Sequence, residues 1–176
     1  QKLFLVFNDK YAKTTLQGFM GMFSLEIITD FKRKTNTTLI KFFDNKYVHY
    51  GDPNEYSSLF NHMQSLDIQF ISDTGEICGF TTSIALINNL TSENTPLKVH
   101  YSNQIGARHP NKENPFHQID GVLLYFPIKL SNIKLIARAI NIKEEDISEE
   151  QFIVPDNYKK ISRENMNKIL EELLKK

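Results

Sequence analysis

Along this chain, apolar and polar positions switch between a period near two and a period between three and four. Residues 2–7 (KLFLVF) form a short apolar run closed by Asn8-Asp9 and read as a buried strand. Over residues 15–34, Leu16, Phe19, Met20, Phe23, Ile27, Ile28 and Phe31 fall at helical spacing, which predicts a helix with a core-facing Met and Phe stripe. Gly18 and Gly21 weaken that helix by about 1 kcal/mol each against Ala, and close packing of helix on sheet explains them. Residues 37–43 and 46–50 read as two strands in close succession, hence a hairpin across Asp44-Asn45. Asp52 or Asn54 then caps a short helix over 55–64, with Tyr56, Leu59, Phe60 and Met63 on one face.

The middle of the chain, residues 65–90, admits two readings. Positions 67–72 alternate, and Asp73-Thr74-Gly75 carries turn chemistry, so a β-hairpin with a return strand over 76–82 is one. In the other a helix begins near Cys78, with Ile77, Phe80, Ile84 and Ile87 on one face. Periodicity alone leaves both open, and a strand followed by a short helix from Ser83 is a composite of the two.

Beyond it, residues 97–101 alternate as a strand, and 102–117 form the longest irregular segment, rich in Pro and Asn. Residues 122–128 are a strand ended by Pro127. Ser131 caps a helix from 132 to about 141, with Ile133, Ile136, Ala137 and Ile140 inward. Ser162 caps a last helix over 163–174, with Glu164 in its first turn. Five to seven strands and about four helices that do not strictly alternate predict an α+β fold. It is a single domain over residues 1–176, with a mixed or mainly antiparallel sheet packed against the helices.

Composition narrows the function classes. The 176 residues are 40% apolar and 24% charged, enough for a folded core and wrong for a disordered chain. Lys plus Arg equals Asp plus Glu at 21 each, so no net field attracts nucleic acid, and such a role would need a local patch. The nearest basic cluster, Lys32-Arg33-Lys34, reads as the end of a helix. One cysteine forbids an internal disulfide, which fits a cytoplasmic or a bacterial extracytoplasmic domain alike. Gln1 in place of Met leaves room for a removed leader or an anchor before it, and no apolar run reaches membrane-spanning length. Asn36-Thr37-Thr38 and Asn89-Leu90-Thr91 match the glycosylation acceptor pattern, as chance produces in a chain rich in Asn and Thr.

Candidate chemistry centres on Cys78. A cysteine in the first turn of a helix is held as thiolate and becomes a nucleophile if a histidine lies in reach. His100 and His117 are the candidate bases, and Asp120, three residues after His117, the group that orients it. The order Gly75-Glu76-Ile77-Cys78-Gly79 followed by His100 or His117 loosely resembles that of papain-like and bacteriocin-processing cysteine peptidases. The resemblance covers those few positions, lacks a glutamine directly before the cysteine and assigns no family. His100, His109 and His117 match no metal-site spacing, and neither GxGxxG nor GxxxxGK[ST] occurs, so no metal and no cofactor are expected. The favoured function is a non-enzymatic, regulatory or sensor-type domain that binds a protein partner or a small apolar ligand in a cleft between sheet and helix. The alternative is a hydrolase or acyl transferase built on Cys78 with His100 or His117.

Overall fold

The computed structural model describes residues 1–63, 65–90, 95–107, 109–130 and 133–174. Its contacts divide the chain into two compact units, Gln1–Ser58 with Asp146–Lys176, and Leu59–Glu145. Each is built on one sheet, and among the described residues there is a single α-helix.

The first unit is a meander of β1 (Lys2–Phe7), β2 (Tyr11–Gly18), β3 (Phe23–Asp30), β4 (Thr35–Phe42) and β5 (Asn45–Tyr50), each antiparallel to the next. The chain returns after residue 146 and adds β11 (Lys159–Lys160) parallel to β5. Ile28, Leu39, Val48 and Phe152 form a buried cluster on one face, with Tyr11 stacked on Phe152 at 5.3 Å between ring centroids. Phe152 arrives on a short 3-10 turn, Glu149–Phe152, whose first turn is capped by the Ser148 hydroxyl accepting from Glu150 N. Helix α1 (Arg163–Leu174) follows, and the Ser162 hydroxyl accepts from Asn165 N at 3.3 Å, as the sequence predicts for its cap. Met166 and Leu170 are its buried positions.

A polar cluster ties this return to the sheet. Glu55 Oε1 lies 3.1 Å from His49 Nε2 and also pairs with the Arg163 guanidinium. Burial pushes the Glu55 carboxyl up, but the His49 hydrogen bond and the Arg163 charge outweigh it and hold it below its usual value.

The second unit is a second antiparallel meander: β6 (Ile68–Ile77), β7 (Phe80–Ile87), β8 (Leu97–Ser102), β9 (Val122–Leu130) and β10 (Ile133–Arg138). Ala85, Ile87 and Val99 alternate onto one face and are fully buried. The segment between β8 and β9 is a packed loop. Fully buried Phe116 meets Phe60 and Phe126 edge-on, and the Asn111 amide donates to Ile119 O and Gly121 O at 2.8 Å.

These sheets overturn the expected α+β fold with about four helices. The helix predicted over 15–34 is β2, a turn and β3. Leu25 and Ile27 face one way and Ile28 the other, all buried, so apolar residues fill both faces and imitate a helical stripe. Gly21, at φ +87°, serves the turn between the strands and not helix packing. The helix predicted over 55–64 is replaced by a 3-10 turn at Ser58–Phe60 within irregular chain. The one expected from 132 to 141 is β10, and its supposedly inward Ile136 and Ile140 are exposed. Its Ser131 cap lies outside the described residues. Pro127 does not end its strand; it pairs with Ile136 inside β9. No helix among the described residues is long and apolar enough to cross a membrane.

Candidate functional site

The middle of the chain is a hairpin, with its turn displaced from the expected place. Asp73-Thr74-Gly75 lies within β6, where a bulge falls between Ile71 and Thr74. The chain reverses at Cys78-Gly79, between paired Ile77 and Phe80, with φ of +54° and +80°. Two successive positive φ values in a two-residue loop suit the twist of the flanking strands.

Cys78 therefore sits exposed at a hairpin tip and not at the start of a helix. His100 lies within β8, opposite Ile84 of β7. Its Nδ1 is hydrogen-bonded to the Thr82 hydroxyl at 3.1 Å, and Thr82 lies two residues, roughly 7 Å of strand, from Phe80, where β7 leaves the turn that holds Cys78. His117 is exposed in the loop before β9, and its N–H donates to Asn114 O. Asp120 pairs with His109 Nδ1 at 3.1 Å. Thus Thr82 and His100 are brought together, and so are His109 and Asp120. Among the described residues, no three metal-ligating side chains gather in one place.

Around His100 the sheet builds a distinct surface. Directly paired residues point to the same side of a sheet, and one such row crosses all five strands: Ile71, Ile84, His100, Tyr125 and Arg138. Along it Ile84 is buried, His100 and Tyr125 are half-buried, and Arg138 is exposed. Gly75 makes room for the imidazole. A Cβ there would come within 3.2 Å of both His100 Nδ1 and Thr82 Oγ1. The His100 ring meets Tyr125 edge-on at 5.5 Å. Burial lowers its proton affinity, and the Lys98 and Arg138 charges lower it further, so the ring is neutral at pH 7. With Nδ1 taken by Thr82, Nε2 has no hydrogen-bond partner among the described residues.

Alternation puts Lys98 on this face two residues from His100, and Lys129 and Lys134 on it roughly 13 Å along the strands from Tyr125 and Arg138, with Pro127 and Ile136 between. Lys129 and Lys134 are directly opposite each other, an arrangement that costs stability without an intervening anion. None of these four cations forms an ion pair among the described residues. Strands β7 to β10 contain no Asp or Glu at all. This segregation is visible in the sequence once the strands are known. Whole-chain neutrality concealed it, and Lys32-Arg33-Lys34 drew attention to a β3–β4 turn instead.

No family model matches this chain, and no curated protein matches it. Among solved structures, its fold is similar to that of PNGF-II, at a TM-score of 0.57 and 10% identity. That likeness covers 97% of this chain and 29% of PNGF-II, so the chain spans under a third of that protein's length. At this identity the likeness is one of fold.

Proposed function

We propose that this chain is a non-enzymatic binding domain, and that the basic face of its five-stranded sheet takes an acidic polypeptide segment of a partner protein. The opposed lysines Lys129 and Lys134, without an ion pair among the described residues, carry the reading, with Lys98 and Arg138 on the same face. Cations that make no ion pair among the described residues leave the folded state self-repelling, and an acidic partner removes that cost. His100 Nε2 and the Tyr125 hydroxyl, on the same row, add neutral hydrogen-bonding groups. The surface is cationic where an apolar ligand would need a greasy cleft. No comparable observation favours the thiol hydrolase: Cys78 sits exposed at the β6–β7 tip, and Nδ1 of its candidate base His100, on β8, is bonded to Thr82.

The test is equilibrium binding of fluorescent poly-L-glutamate to the chain. Saturable binding that weakens with salt is expected, with a loss of roughly tenfold or more in Lys98→Glu/Arg138→Glu. Binding absent at low salt, or unchanged in that variant, overturns the proposal.

A further inference from the structure

In the six-stranded sheet, two hairpin loops end side by side. The β2–β3 connection, residues 19–22, and the β4–β5 loop, residues 43–44, are held together by Phe43 N–H donating to Met22 O at 2.9 Å. Three large apolar side chains point out of them: Met20 is 98% exposed, Phe43 53% and Met22 39%. Met20 and Phe43 hold φ of +53° and +52°, a left-handed backbone that side chains of this kind rarely adopt. Hairpin loops ordinarily place Gly, Asn or Asp at such positions.

Just behind this tip, one cross-strand row reads Lys2, Gln17, Ser24, Lys41 and Lys46. Lys41 and Lys46 face each other directly, and the row contains no acid. Lys46 Nζ lies 5.9 Å from the Tyr158 ring centre, while Lys2 and Lys41 have no ion-pair partner among the described residues. Asp44 is the acidic residue within the loops. The arrangement is an apolar point backed by a band of cations.

We propose that this tip docks on the surface of an anionic lipid bilayer. Met20, Met22 and Phe43 enter the interface, and Lys2, Lys41 and Lys46 reach the lipid phosphates. Charge complementarity selects this occupant: apolar side chains alone would suit any hydrophobic partner, but lysines one row behind them match the phosphate layer above the acyl chains. The attachment is peripheral and reversible. It involves a different sheet from the acidic-partner face and stands without it.

Co-sedimentation with phosphatidylcholine vesicles, with and without phosphatidylserine, tests it. The chain is expected to sediment with the phosphatidylserine-containing vesicles and to be released by salt. Met20→Asn/Phe43→Asn should weaken this by about tenfold or more. Asn accepts the left-handed backbone, so that variant keeps the fold. Lys41→Glu should weaken it as well, whereas Phe70→Asn, in the other unit, should leave it unchanged. The proposal is overturned by failure to sediment with either vesicle, by equal sedimentation with both, or by sedimentation that survives the double substitution. A concentration-dependent dimer abolished by the double substitution would assign the tip to a second copy instead and equally overturn it.

Discussion

The Thr82 hydroxyl and His100 Nδ1 lie 3.1 Å apart across β7 and β8, which fixes the imidazole over Gly75. One ring nitrogen is committed to the protein, and the other is presented on a face bordered by Lys98 and Arg138. The pair turns an ordinary strand histidine into an oriented, neutral group among cations.

His100 is predicted to titrate below the ordinary histidine value of about 6.5, because of burial first and the Lys98 and Arg138 charges second. The sign follows from linkage. A folded-state value below the unfolded one makes protonation favour the unfolded chain, so stability is full above the unfolded value and is lost as pH falls through the folded one. Thermal melts between pH 7 and 5 should show that loss, and His100→Asn should show less of it. A melt whose pH dependence is the same in both proteins would contradict this.

Gly121→Ala is predicted to destabilise the second unit. A Cβ at this position would press within 2.9 Å of Tyr101 Cδ2 and 3.1 Å of the Ser102 carbonyl oxygen, and against Asn103 Oδ1 as well. Backbone does not yield cheaply, and overpacking of this kind costs about 1–3 kcal/mol. Gly106→Ala, where nothing lies within 4 Å, should leave the melting temperature nearly unchanged. Equal melting of the two variants would refute the close contact.

What the sequence made legible was local. Ser162 before an amphipathic run marked α1, and five other apolar runs marked β1, β4, β5, β8 and β9, because capping and strand signals depend on neighbouring residues. The misread helices over 15–34 and 132–141 have different causes. A strand buried on both faces, such as β3, loses its alternation, and spacings of three and four then arise by accident. β10 is an edge strand that leaves Ile133 and Ile136 exposed, so its apolar residues mark no buried face at all. At 65–90, Asp73-Thr74-Gly75 offered a plausible turn, but the chain turned at Cys78-Gly79 instead. Pairing from Ile68↔Ile87 to Ile77↔Phe80 buries Ile87 and Ile84 and absorbs the mismatch in a bulge.

The candidate site was legible only in pieces. His100 was singled out for its chemistry, yet its partners Thr82, Tyr125 and Arg138 come from three other strands, at separations that no linear motif records. Lys98, Lys129 and Lys134 are scattered one to a strand and become a surface only through register. Asp120 was paired in sequence with His117, three residues away, but its carboxylate meets His109.

The most direct test of the acidic-partner face is the His100 imidazole titration by NMR, in the free chain and with saturating poly-L-glutamate. Carboxylates settling among Lys98, Arg138 and His100 stabilise the protonated ring, so the midpoint should start below the ordinary value and rise on binding. A His100 midpoint and chemical shifts unchanged by poly-L-glutamate would contradict the account.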